Sequence, residues 1–210
     1  MDSHIVVVGS LNADFVINLA RFPVPGETVI SNDFALFPGG KGANQAYAAA
    51  RLGANVSLVG QVGNDVHAQW LKQHLASAGV NVSHVHQDGQ DGEVPSGMAV
   101  VTIDASGQNQ IVVVPGANGA FGVERLERSR DLIASARFVL LQLEIPLETV
   151  TAAARIAKAA GALVILDPAP ARVIPDDLLA LVDYLTPNET ELAILTGSPF
   201  DDGFNCDELR

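Results

Sequence analysis

The chain has 210 residues, with 24 acidic side chains against 12 basic ones for a net charge of −12, and 48% hydrophobic against 17% charged residues. An acidic chain without a basic run excludes nucleic-acid binding built on phosphate neutralisation, and the apolar content excludes a disordered chain. The single cysteine, Cys206, excludes an intramolecular disulfide framework and a multi-cysteine metal site.

Met1-Asp2-Ser3-His4 has no basic leader region, and no apolar stretch reaches membrane-spanning length, so the expectation is a soluble cytoplasmic protein. Ile5–Val8 is a continuous β-branched run, as in a strand buried on both faces. Residues 41–52 are Ala-rich and favour a helix, with Gly53 as its stop. Residues 56–62 read as a strand. Residues 65–78 read as a helix closed by Gly79. Further strands are expected at 138–143, 163–166 and 184–185. Helices are expected at 147–160, 178–182 and 189–195, the last stopped by Gly197.

Strand and helix alternate, which implies parallel strands joined by crossover helices and an α/β domain with helices on both sheet faces. Residues 15–37 and 98–114 break the rhythm. Both are extended and β-branched, with turns at Pro25-Gly26, Asn32-Asp33 and Asp104-Ala105-Ser106-Gly107. The expectation is that they pair as a small antiparallel sheet beside the main domain.

In open parallel sheets, ligands bind beyond the carboxyl ends of the strands. Those ends carry Asn12 and Asp14, then Glu144, then Asp167, then Asn188 and Glu191. For any one position a helix or turn cap is the alternative; together they favour a polar site able to bind hydroxyls. The loop Pro38-Gly39-Gly40-Lys41-Gly42-Ala43-Asn44 leads into a helix whose first N–H groups are free for an anion or a hydroxyl oxygen. It is not a Walker P-loop: Lys41 is followed by Gly42, and Ala35 stands where the first glycine belongs. Val8-Gly9-Ser10-Leu11 likewise lacks the later glycines of a dinucleotide fingerprint. Asn188-Glu189-Thr190-Glu191 has the form of a capping box; the same pair, on one helical face, offers a hold for a hydrated Mg²⁺. His4, His67, His74, His84 and His86 have no ligand spacing, and surface placement is expected for them.

Gly9-Ser10-Leu11-Asn12-Ala13-Asp14, Gly39-Gly40-Lys41-Gly42-Ala43-Asn44-Gln45-Ala46, Leu143-Glu144-Ile145-Pro146-Leu147-Glu148 and Thr186-Pro187-Asn188-Glu189-Thr190-Glu191 resemble, in order, the motifs of ribokinases in the PfkB family of carbohydrate and nucleoside kinases. Pro168-Ala169-Pro170-Ala171 adds to the match. The resemblance implies a three-layer α/β/α core with a parallel central sheet (residues 1–12, 41–95 and 116–210) and a β-sheet lid (13–40 and 96–115). It implies ATP-dependent phosphorylation of D-ribose at O5, with a sugar and ATP as partners, no nucleic acid or membrane, and a homodimer contact through the lid. Asn12, Asp14, Gly40, Lys41, Asn44 and Glu144 match the sugar shell, and Ala99 and Ile111 match apolar lid positions. Asn188 matches a phosphate-binding position and Glu191 a Mg²⁺ position reached through water, compatible with the capping box. The family's Gly-Ala-Gly-Asp motif, whose Asp is the catalytic base, has no match here. It is expected beyond Arg210, with most of the adenine site and a monovalent-cation (K⁺) site, so this chain alone is expected to be inactive or nearly so. The alternatives are a non-catalytic sugar-binding or regulatory chain, and a kinase of another pentose, fructose or a nucleoside.

Overall fold

The computed structural model describes residues 4–31, 33–87 and 94–197. Asn32 of the expected Asn32-Asp33 turn, the tail 200–210 and its Cys206 lie outside the described residues. The strand at the centre of the molecule is β1 (His4–Val8), which is apolar because it is covered on both faces. Val6 and Val8 enter one apolar layer and Val7 the other. β1 pairs in parallel with β4 (Asn55–Val62) on one side and β8 (Phe138–Leu141) on the other. β5 (Asn81–Gln87), β9 (Leu163–Leu166) and β10 (Tyr184–Leu185) complete a six-stranded parallel sheet in the order β10-β9-β8-β1-β4-β5.

Two helices cover the first face. α1 (Lys41–Arg51) buries Ala43 and Ala46, and α2 (Val66–Ser77) buries Ala68, Leu71 and Leu75. Asp65 caps α2, its carboxylate accepting from the N–H groups of His67 at 3.1 Å and Ala68 at 3.0 Å. On the opposite face, α5 (Leu147–Ala159) packs on β8 and β9 and against α3 (Val123–Glu127), α4 (Arg130–Ala134) and α6 (Asp176–Leu179). α7 (Glu189–Thr196) follows β10. No helix among the described residues is long and apolar enough to cross a membrane.

The second sheet has the order β3-β2-β6-β7, from β2 (Asn12–Asn18), β3 (Asp33–Gly39), β6 (Gly97–Ile103) and β7 (Asn109–Val114). Each sequence region forms an antiparallel hairpin. The β6–β7 turn is set by the Asp104 carboxylate, which accepts from the N–H groups of Ser106 and Gln108, and by Gly107 at φ +84. The two hairpins then join through β2 and β6 in parallel, so the sheet is mixed and not the antiparallel one expected.

Three further points differ from expectation. β8 ends at Leu141 because Gln142 turns inward to bond Gln45. The short helix starts at Asp176 and not Leu178, since Pro175 and two acidic residues favour a helix start there. It stops where the Asp183 carboxylate holds Val164 N–H and Lys158, drawing the chain into β10. The third concerns the histidines: His84 and His86 are half-buried on β5, with ring nitrogens 2.8 Å and 3.2 Å from the buried Ser129 hydroxyl.

Burial pushes the His86 imidazole down to about 4, and the positive charges of Arg125, His84, Arg128 and Lys72 add to this. The folded protein therefore prefers neutral His86, and its contribution to stability is intact above the free value near 6.5. That contribution falls as pH drops from there toward 4. Thermal unfolding at pH 7 and pH 5 should show a loss of a few degrees in Tm, with a smaller loss in His86→Gln. An identical pH slope in the variant would assign the loss to other groups.

Candidate functional site

The two sheets meet where the chain crosses between them. β1 leads through Gly9-Ser10-Leu11 into β2, and β3 returns through Gly40 into α1. β7 returns through the 3₁₀ turn Gly116–Asn118. Gly40 stands at φ +92 as the N-cap of α1, where a side chain would meet the backbone of Ser10, Leu11 and Asn12 at 2.8 Å. Gly42 packs as closely, 2.6 Å from the Gly9–Ser10 peptide at its missing Cβ. These glycines let the start of α1 lie against the end of β1.

Glu144 follows β8 and locks this junction. Its Oε2 accepts from the Ser10 hydroxyl at 2.5 Å and from Lys41 N–H at 2.9 Å. The Ser10 hydroxyl oxygen in turn accepts from Gly42 N–H at 3.3 Å. Asp14 reaches over Gly39 from the second sheet, and its buried Oδ1 has no hydrogen-bond partner among the described residues. Burial pushes the Asp14 carboxyl up to about 6, and the negative charge of Glu144 adds to this. Asp167, after β9, is also raised by burial; Lys41 opposes the shift, while Glu191 and Glu144 reinforce it. Gln142 donates to Gln45 at 2.5 Å, and Gln45 donates to Asp167 at 3.3 Å, a chain of amides beneath the site.

A cavity of about 440 Å³ opens beside Glu144, lined by Asn12, Asn118, Leu143, Pro146, Arg172 and Val113 of the second sheet, among others. Ala99 is buried and lies in register between Asp14 and Val113, on the same face of the second sheet. Ile111 lies farther out on that face, 55% exposed. Val113, rather than Ile111, is the β7 residue lining the cavity. Of the expected sugar-shell residues, Asn12 and Glu144 line that cavity and Asp14, Gly40, Lys41 and Asn44 do not; Asn44 is exposed one turn into α1, its backbone N–H bonded to Gly40 C=O.

Asn188 and Glu191 form the capping box. Asn188 Oδ1 accepts Glu191 N–H and Glu191 Oε2 accepts Asn188 N–H, both at 2.8 Å, while Asn188 Nδ2 donates to Glu191 Oε1 at 3.0 Å. Among the described residues no cluster of three or more His, Cys, Asp or Glu side chains is arranged to hold a metal ion. Both Glu191 oxygens accept from Asn188, one from its backbone N–H and one from its side-chain amide. Ser10 and Asn118 were not assigned from sequence. Ser10 stood inside a noted motif, but nothing local marks Asn118, which reads as part of a Pro-Gly turn.

A model of the pfkB family of carbohydrate kinases matches residues 2–208. The chain belongs to the pfkB family of carbohydrate kinases. It is 43% identical to a ribokinase of Haemophilus influenzae over 197 residues, 94% of this chain and 63% of that protein. It is 38% identical to a deoxyribokinase of Salmonella typhimurium over 201 residues, 94% of this chain and 64% of that protein. The solved structure of Arabidopsis thaliana ribokinase complexed with ribose and ATP superimposes with a TM-score of 0.87 at 38% identity, over 97% of this chain and 65% of that one. This pfkB-family chain thus spans a little under two thirds of the length of these relatives.

The raised Asp14 carboxyl can be followed directly. Its carboxyl carbon resonance should titrate with a midpoint near 6. In Glu144→Gln the midpoint should move down yet remain above 4, since burial is the larger cause. A midpoint at or below 4 in the unmodified chain would contradict the buried, unpartnered placement.

Proposed function

We propose that this chain carries the sugar-binding part of an ATP-dependent kinase that transfers a phosphoryl group to O5 of D-ribose, giving ribose 5-phosphate. The observation that carries this reading is the pair of carboxylates with unspent acceptors. Asp14 Oδ1 is buried without a partner, and Glu144 has one oxygen bonded by Ser10 and Lys41 while its Oε1 accepts no described hydrogen bond. Buried unpaired acceptors are costly unless a ligand supplies donors, and sugar hydroxyls do so in pairs. The same arithmetic makes such a site reject analogues that lack a hydroxyl. The Arabidopsis relative was solved with ribose and ATP, which supports the sugar and the co-substrate.

In this reading Asn12, Asp14, Gly40, Lys41, Asn44 and Glu144 orient the sugar, and Ala99 with the outer strand of the second sheet covers it as a lid. The Asn188–Glu191 pair would hold hydrated Mg²⁺, whose charge would offset that of the incoming phosphates. Lys41, which also faces Asp167, adds a fixed positive charge on the sugar side. The 210 residues contain no Gly-Ala-Gly-Asp motif, so this chain by itself is expected to bind sugar with little or no turnover. The deoxyribokinase relative, at 38% identity, supports 2-deoxyribose as the second candidate sugar.

Calorimetric titration of the chain with ribose should give saturable heat. Asp14→Asn and Glu144→Gln should each weaken binding about tenfold or more, the loss of a charge-assisted hydrogen bond. Absence of heat at millimolar ribose would sink the proposal, and tighter binding of 2-deoxyribose would move it to the second sugar. ADP formation dependent on ribose from the purified chain would overturn the expected inactivity.

A further inference from the structure

We infer that Asn118 is a positioning residue that fixes which end of the Asn12 amide faces the ligand, holding Asn12 as a hydrogen-bond donor. The inference rests on the sugar-binding reading above and names the chemistry of one of its contacts.

Asn118 is 1% exposed and makes three hydrogen bonds. Its Oδ1 accepts from Leu11 N–H at 2.9 Å. Its Nδ2 donates to Leu11 C=O at 3.0 Å and to Asn12 Oδ1 at 2.8 Å. A backbone N–H only donates and a backbone C=O only accepts. Turning the Asn118 amide over would set donor against donor and acceptor against acceptor at Leu11, leaving both buried groups unpaired. The backbone therefore decides the Asn118 orientation. Its second Nδ2 proton then needs an acceptor, so Asn12, itself 3% exposed, must turn its Oδ1 inward.

That leaves Asn12 Nδ2, which has no hydrogen-bond partner among the described residues, for the cavity that Asn12 lines with Glu144. Two residues on, Asp14 stands on the same face of β2 with an unpartnered acceptor. β2 thus offers one fixed donor and one acceptor, a pattern that suits a polyol, whose hydroxyls both accept and donate. Gly97 makes the arrangement possible. A Cβ there would overlap both Asn118 Nδ2 and Asn12 Oδ1.

The test uses ribose titrations of this chain and of three variants, Asn12→Asp, Asn118→Ala and Asn12→Asp with Asn118→Ala. Asn12→Asp keeps the acceptor for Asn118 and removes the donor to the ligand, so it should weaken ribose binding about tenfold while remaining folded. Asn118→Ala frees the Asn12 amide and should weaken binding by a similar factor. The double variant should bind no more weakly than Asn12→Asp alone, because both changes remove one contact. Additive losses would mean that Asn118 acts only through stability and would overturn the inference. If Asn118→Ala does not fold, the side-chain amide protons of the unmodified chain decide. Those of Asn118 should exchange slowly with or without ribose, and those of Asn12 should slow only when ribose is added. Ribose binding that leaves the Asn12 amide and the Asn12→Asp affinity unchanged would overturn this inference while the sugar-binding reading stands. No ribose binding by the unmodified chain would remove both.

Discussion

The two bonds to Glu144 Oε2 hold the rest of the site in place. Ser10, Lys41 and Glu144 come from the end of β1, the start of α1 and the loop after β8. Glu144 is 134 residues from Ser10 and 103 from Lys41 along the chain. A carboxylate that accepts a hydroxyl and a backbone N–H at a helix start is favoured there by charge as well as by geometry. The positive φ of Gly40 and the missing side chain of Gly42 are the backbone terms of the same arrangement. Without them α1 could not approach β1 closely enough for one oxygen to serve both donors. The contact also fixes the free Glu144 oxygen and places a negative charge beside Asp14.

That charge has consequences for what the site can hold. Asp14, Glu144, Asp167 and Glu191 gather at the strand ends, and Lys41 is the cation that opposes them at Asp167. The raised carboxyls of Asp14 and Asp167 register a surplus of negative charge in a partly dry place. A neutral polyol is well suited to it, because its hydroxyls donate to carboxylates without adding charge. A bare polyanion is poorly suited. Phosphate groups would need a compensating cation, and the capping-box pair lies at the Asp167 side of the site, where Glu191 is felt by Asp167.

The parallel core was legible in the sequence because its signals are local. Continuous β-branched runs give β1 and β9, and glycines at positive φ end α1 and α7 where the stops were expected. Asn12, Asp14 and Glu144 were marked by their positions after strands, and Gly40 and Lys41 by the glycine-rich loop that leads into α1. What was hidden depends on distant pairing. β2 and β6 run parallel because two hairpins lie side by side, and no local pattern states which strands of two hairpins will join. β5 was masked by His84 and His86, whose burial depends on Ser129 some forty residues away. Ile111 and Val113 share a face and a β-branched shape, so only the distance out along the strand separates the exposed one from the one lining the cavity.

The second sheet and the candidate site share one set of bonds. The chain passes between the two sheets close to Leu11–Asn12, Gly39–Gly40, Gly97 and Asn118, and the amide of Asn118 clamps the first of these from the last. The start of β6 is tied to the core as well: the buried Ser96 hydroxyl accepts from Gly63 N–H at 3.1 Å and donates to the Asp65 carboxylate at 2.9 Å. Asn12 is thus tied to the core by Asn118 although it opens β2, while Asp14, two residues later, reaches over Gly39 within the second sheet. A ligand bonded to both would bridge the two sheets, and its binding would then depend on how they are placed.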